Sequence, residues 1–166
     1  MATRAHIRFA ERKEGVSFNE HPENVEFQIY HHYDGYPEHL GVKLAKFLEG
    51  YYITNGLPGK INGKIANGMG CLAAQLIAEM KTEPGNVYLS NPKWNDDATG
   101  WEDWTYYIWT AEEKLIWMSI FDIDNECVFV GEPEALQAKY DNFRNGYDRK
   151  WIKRIIYIYD RWIYRS

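Results

Sequence analysis

Two segments near the start of the chain alternate apolar and polar residues with a period of two, a pattern typical of half-buried β-strands. They span 4–9 and 25–33, and the intervening 11–24 is polar and holds glycine, proline and asparagine. We therefore predict that the two strands pair as an antiparallel hairpin with a long loop. The predicted apolar face of the second strand holds Val25, Phe27 and Ile29.

Helical spacing replaces this alternation after the Asp-Gly-Tyr-Pro turn. Proline favours the first turn of a helix, and apolar residues then recur every three or four positions as far as Tyr51, so a first helix is predicted to begin near Pro37. A second helix is predicted over 68–81, with Asn67 as its N-cap residue. The glycine-rich stretch 55–70 between the two is predicted to be a loop.

The second half of the chain returns to strands. Four segments rich in aromatic and β-branched residues are predicted strands: 87–89, 104–109, 114–121 and 127–130. Pro133 opens a third predicted helix. We predict an α+β fold, a mainly antiparallel sheet with packed helices, in a single domain over 1–148. Residues 149–166 repeat apolar residues at i, i+4 and i+8 and predict an amphipathic C-terminal helix, with a strand as the alternative.

Composition and charge narrow the function classes. The chain of 166 residues holds seven Trp, 13 Tyr and seven Phe, more rings than a domain of this size easily buries, which indicates a stacking surface or an interface. The net charge of -5 argues against binding polymeric nucleic acid over the whole surface. Residues 149–166 nevertheless hold six basic side chains and one acidic one, which either meet a negatively charged partner or face solvent.

The cysteines and the hydropathy indicate a cytoplasmic compartment. Cys71 and Cys127 match no metal-ligand spacing and lie among apolar neighbours, as free thiols in a reducing cytosol do. No stretch reaches the roughly 18 apolar residues of a membrane span, and no apolar signal region begins the chain. We expect no membrane association, no metal and no cofactor.

A polar loop with three tryptophans is the strongest candidate for a stacking site. It spans 91–104 and holds Lys93, Trp94, Trp101 and Trp104. Each base stacked on an aromatic ring gains roughly 1–3 kcal/mol, which would suit a nucleotide ligand. A subunit interface also favours tryptophan, and the sequence leaves both interpretations open.

Two further segments carry candidate ligand-binding residues. The glycine-rich loop leads into the second helix, where Lys64, Asn67 and Gly68 would form a phosphate cradle, although no Walker signature is present. In the Asp-Gly-Tyr-Pro turn, Tyr36 is expected to present its ring outward. His32 lies beside this turn as a candidate ligand contact or, paired with Asp34, as an acid–base group, whereas turn chemistry favours a structural role for Asp34.

Three stretches resemble a family of small phage-encoded proteins that carry an Asp-Gly-Tyr-Pro motif. The first is Tyr-His-His-Tyr-Asp-Gly-Tyr-Pro-Glu at 30–38, where the family more often has Arg or Lys at the position of His31. The second is Ala-Asn-Gly-Met-Gly-Cys-Leu-Ala-Ala-Gln-Leu at 66–76, and Gly-Asn-Val-Tyr-Leu at 85–89 is the third. The resemblance covers about residues 1–130. It indicates a phage protein similar to the anti-CBASS cyclic-nucleotide sponges.

This resemblance implies a function by binding rather than catalysis. It implies a homo-oligomer, a tetramer, that sequesters a cyclic dinucleotide defence signal in the host bacterial cytoplasm without cleaving it. The residues show no nucleophile motif, which agrees with a protein that is not an enzyme. Two alternatives remain open: a protein-binding inhibitor of a host factor, and a cyclic-nucleotide phosphodiesterase that uses His32 and Asp34. We expect the C-terminal helix to build the oligomer.

Overall fold

The computed structural model describes most of the chain in six stretches: 3–11, 20–22, 24–56, 63–92, 102–110 and 115–144. Eight strands lie within these stretches: β1 Ala5–Glu11, β2 Asn24–His31, β3 Tyr51–Thr54, β4 Lys64–Asn67, β5 Val87–Ser90, β6 Trp104–Thr110, β7 Ile116–Asp122 and β8 Cys127–Gly131. Three α-helices accompany them: α1 Val42–Leu48, α2 Gly68–Met80 and α3 Pro133–Arg144. A π-helical segment, Pro37–Gly41, leads directly into α1.

Six strands form the main sheet, in the order β5-β2-β1-β6-β7-β8. Neighbouring strands are antiparallel except for the central pair β1 and β6, which is parallel. Strands β3 and β4 form a separate parallel pair. The predicted fold class, α+β with a mainly antiparallel sheet, is confirmed.

The β1–β2 hairpin confirms the predicted antiparallel pairing, but a β-bulge reverses the side of the sheet on which the first residues of β2 lie. Phe9 pairs with Phe27, whereas the next residue of β1, Ala10, pairs with Val25, so β2 holds one extra residue at this point. The bulge turns Val25 to the opposite face, where it packs with Ala10. The sequence-based placement of Val25 beside Phe27 and Ile29 is therefore wrong.

One face of the sheet carries the main hydrophobic core and is covered by the helices. The core joins alternate residues of the central strands to the apolar faces of α1, α2 and α3. Leu44, Leu72 and Leu136 are fully buried representatives of the three helices. This packing explains why the helical periodicity of the sequence predicts α2 and the start of α3 closely.

The other face of the sheet combines aromatic and polar side chains. Trp109 and Phe121 are fully buried there, and the Arg8 guanidinium lies 5.6 Å from the centroid of the Tyr107 ring. Arg8 Nε donates to Gln28 Oε1 at 2.7 Å, and Arg8 Nη1 donates to the Tyr107 hydroxyl at 2.8 Å. A buried cation is tolerated only when its donors are satisfied, and these bonds provide that compensation.

Two sequence-based boundaries need correction. The first helix ends at Leu48 rather than reaching Tyr51, because Gly50 adopts a φ of 73° that stops the helix and the chain enters β3. The predicted loop 55–70 contains β4 and the start of α2. The predicted C-terminal helix, 149–166, lies outside the described residues.

Within the described stretches, no helix combines the length and the apolar character needed to cross a membrane.

Candidate functional site

A pocket of about 460 Å³ opens between the first two helices and the small sheet. It is lined by Lys43, Lys46, Phe47, Tyr51, Lys64, Leu76, Glu79 and Met80. These residues come from α1, β3, β4 and α2, so the pocket exists only when the small sheet packs against both helices. Its volume lies in the range of roughly 300–1,000 Å³ that is typical of small-molecule sites.

Two aromatic rings form one wall of the pocket. The ring centroids of Phe47 and Tyr51 are 5.0 Å apart, with an interplanar angle of 37°. The Tyr51 hydroxyl donates to Gln75 Oε1 at 2.7 Å, and Gln75 Nε2 in turn donates to the Ile65 carbonyl oxygen at 3.0 Å. Burial raises the pKa of Tyr51, so its hydroxyl stays protonated as a donor. The side chain of Gln75 therefore fixes the orientation of the Tyr51 ring.

Three lysines bring positive charge to these rings. Lys64 Nζ lies 5.4 Å from the centroid of the Tyr51 ring and donates to the Phe47 carbonyl oxygen at 3.0 Å. Lys43 and Lys46 lie one turn apart on α1 and are exposed to solvent. A charged rim around an apolar floor suits a ligand that combines an aromatic ring with a negative charge.

Within the described stretches, no acidic side chain lies within 4.0 Å of the ammonium group of Lys43, Lys46 or Lys64. The ion pair of His6 Nε2 with Glu102 Oε1, at 3.3 Å, lies outside the pocket. Glu79 is the one acidic residue among those that line the pocket in the described part of the chain. The positive charges of the pocket are thus available to an anion.

His31 lies next to this site, on the helix-covered face of the sheet. It pairs with Ala5 in β1 and is only 8% exposed. Burial, reinforced by the positive charge of Lys43, lowers the pKa of His31 from 6.5 to about 4. His31 is therefore neutral at physiological pH.

Of the sequence-predicted ligand residues that the structure describes, Lys64 is the one that lines the pocket. Asn67 occupies the N-cap position of α2 as predicted, but its side chain makes no cap hydrogen bond. Instead, Asn67 Oδ1 accepts from the backbone N–H of Gly56 at 2.9 Å and ties the end of β4 to the residues that follow β3. Gly68 begins α2 directly after it.

Three other predicted residues lie at the end of the sheet where β1 begins. His32 Nδ1 and the Tyr30 hydroxyl share a hydrogen bond of 2.8 Å. Tyr36 caps the π-helical segment through its carbonyl oxygen, which accepts from the backbone N–H groups of His39 and Leu40. Trp104 is the first residue of β6, where it is half-buried and packs against the main core.

The remaining predicted ligand residues, Lys93, Trp94 and Trp101, lie outside the described residues. Within the part of the chain that the structure describes, no three His, Cys, Asp or Glu side chains cluster as metal ligands would.

Sequence reasoning missed Lys43, Lys46 and Glu79. Lys43, Lys46 and Phe47 are spaced i, i+3 and i+4, so they share one face of α1, and this spacing was available in the sequence. The position of Glu79 opposite them depends on the packing of α2, for which no local signal exists.

Comparison of the chain with family models, curated proteins and solved structures finds no match.

Proposed function

We propose that this protein binds and sequesters a cyclic dinucleotide defence signal without cleaving it, and that the lysine-lined pocket is the binding site. The observation that carries the proposal is the convergence of Lys43, Lys46 and Lys64 around the paired rings of Phe47 and Tyr51. The resemblance to the phage sponge proteins supports the choice of ligand class and the host bacterial cytoplasm as the place of action.

The chemistry of the ligand matches the aromatic wall and the lysines of the pocket. A cyclic dinucleotide carries two bases and two phosphates. The rings of Phe47 and Tyr51 offer a stacking platform, which is worth roughly 1–3 kcal/mol for each base. The ammonium groups of the three lysines provide charge-assisted hydrogen bonds to phosphate oxygens, each worth about 1.5–3 kcal/mol.

The required affinity points to a second copy of the chain. An effective sponge needs nanomolar binding, which is about -12 kcal/mol. One stacking platform and a few exposed lysines contribute less than this after the entropy cost of binding. We therefore propose that the working form is a homo-oligomer, expected to be a tetramer, in which a neighbouring copy covers the second base.

Binding of a panel of cyclic di- and trinucleotides tests the proposal by isothermal titration calorimetry. Lys43→Gln, Lys46→Gln and Lys64→Gln should each weaken binding at least about tenfold, because each removes a charged partner of phosphate. Lys81→Gln is the matched control, because Lys81 Nζ donates to the Val87 carbonyl oxygen at 2.7 Å and the residue does not line the pocket. It should bind as the unaltered protein does.

The fate of the ligand separates sequestration from the two alternatives. Heat denaturation of the loaded protein should release the intact cyclic dinucleotide, identified by mass spectrometry. Recovery of a linear product would instead support the phosphodiesterase that uses His32 and Asp34. Failure to bind any member of the panel would refute the proposal and leave inhibition of a host protein as the function to examine.

A further inference from the structure

The carboxylate of Glu79 is an unusual component of a pocket that collects lysines. It lies on the last turn of α2, on the same face as Leu76 and Met80, and it lines the pocket with them. Its charge acts on the pKa of Tyr51, after the larger effects of burial and of Cys71, so it lies within electrostatic range of the stacking ring. Glu79 is also exposed to solvent.

The oxygens of Glu79 are available as acceptors. In the described stretches, none of the three pocket lysines approaches within ion-pair distance of Glu79. An ionised carboxylate accepts hydrogen bonds and donates none, and it repels phosphate. In a site for an anionic ligand, its favourable partner is therefore a part of the ligand that presents donors.

Among nucleobases, guanine presents the matching group. Its N1–H and its exocyclic N2 amino group are two adjacent donors, which can meet the two oxygens of one carboxylate. Adenine presents one donor and one acceptor on the corresponding edge, so a carboxylate would pair with the donor and face the lone pair of the acceptor. Carboxylates that form such two-point contacts discriminate strongly against partners that lack one donor.

We infer that Glu79 reads the edge of a base stacked on Tyr51 and Phe47, and that the pocket selects guanine-containing cyclic dinucleotides over those that contain only adenine. This inference rests on the proposed function, since it concerns the same pocket. The lysines then hold the phosphates, and Glu79 decides which base occupies the platform. These separate roles follow from charge, because a carboxylate among lysines weakens the binding of an anion unless it accepts hydrogen bonds from the ligand.

Titration calorimetry with c-di-GMP and c-di-AMP at one fixed salt concentration tests the inference. The unaltered protein should bind c-di-GMP at least about tenfold more tightly than c-di-AMP. Glu79→Gln should weaken c-di-GMP binding and should leave c-di-AMP binding unchanged or strengthen it, because a negative charge near phosphate is removed. Glu83→Gln is the matched control, because it removes the same charge from an exposed residue that does not line the pocket.

A ligand-side deletion gives an independent measurement. Cyclic di-inosine monophosphate keeps N1–H but lacks the exocyclic amino group, so the unaltered protein should bind it more weakly than c-di-GMP, whereas Glu79→Gln should distinguish the two poorly. Equal affinity of the unaltered protein for c-di-GMP and c-di-AMP, with the lysine dependence intact, would overturn this inference alone. Unchanged selectivity of Glu79→Gln would also overturn it. Failure to bind these three ligands or any other member of the cyclic-nucleotide panel would overturn the proposed function as well.

Discussion

His31 makes the stability of this protein depend on pH in a defined direction. The side chain is almost fully buried at the end of β2, on the face of the sheet that the helices cover. Charged and titratable groups face it from three directions: Lys43 on α1, His39 on the π-helical segment, and Asp34 and His32 in the turn that follows β2. Protonating His31 would place a second positive charge near Lys43 in a site with little solvent.

The size of the effect follows from the difference between the folded and unfolded states. The pKa of His31 falls from 6.5 to about 4 on folding, mainly because burial disfavours the charged form. The contribution of the neutral imidazole to stability is therefore complete above pH 6.5, and it is lost as the pH falls through 6.5 towards 4. Proton linkage gives a loss of about 2 kcal/mol at pH 5, relative to pH 7.

Urea denaturation at pH 7 and at pH 5 measures this loss. The free energy of unfolding of the unaltered protein should fall by an amount that includes about 2 kcal/mol from His31. His31→Gln removes the titrating group and should reduce the pH-dependent difference by this amount, whatever its effect on stability at pH 7. His39→Gln is the matched control, since His39 is exposed, and it should retain most of the difference.

The comparison of pH slopes decides whether the reasoning holds. If His31→Gln and the unaltered protein lose the same stability between pH 7 and pH 5, then His31 does not titrate as a buried neutral base. A larger pH slope in His31→Gln than in the unaltered protein would contradict the sign of the argument.

Four further predictions concern the Asp-Gly-Tyr-Pro turn, the start of α2 and the tail at 149–166. Gly35→Ala should lower the free energy of unfolding by about 1–3 kcal/mol, because a Cβ there would lie 2.9 Å from the carbonyl carbon of Arg4, the residue before β1. Gly70→Ala should be nearly neutral by the same urea assay, because its Cβ meets only the movable ring of Phe27 at 3.1 Å. Tyr106→Phe should cost about 1–3 kcal/mol, because its buried hydroxyl donates to the Gly35 carbonyl oxygen at 2.7 Å. Truncation after Asp148 should give a smaller species in size-exclusion chromatography with light scattering; an unchanged mass would refute the role of the tail in assembly.

Much of the main sheet could be predicted from the sequence because its signals are local. Strands β1 and β2 alternate with a period of two, and β6 and β7 are rich in aromatic and β-branched residues, so their positions follow from the pattern alone. The helix α2 has an apolar stripe and a recognisable start. In each case the information lies within one element.

The small sheet could not be predicted because its signal is not local. Strands β3 and β4 are four residues each and pair in parallel, so neither contains a hairpin turn that would reveal its partner. Tyr51 lies four residues after Phe47, which is also helical spacing, and the pattern does not distinguish a continuing helix from a new strand. The positive φ of Gly50 resolves the ambiguity in the folded chain.

The candidate pocket could not be predicted either, because its residues come from elements that are distant in the sequence. The same reason explains why the many aromatic residues did not reveal it. The sequence directs attention to tryptophans in a polar loop, whereas Trp104 packs against the main core and Trp109 is fully buried. The rings that line the pocket together with lysines are Phe47 and Tyr51, which also pack against the main core and which continue the helical spacing of the first predicted helix. The number of aromatic residues in a segment thus does not locate a stacking site. The useful signal is an aromatic ring that lies beside a charged side chain without an ion-pair partner. In this protein, that arrangement arises only when α1 and α2 pack on the small sheet.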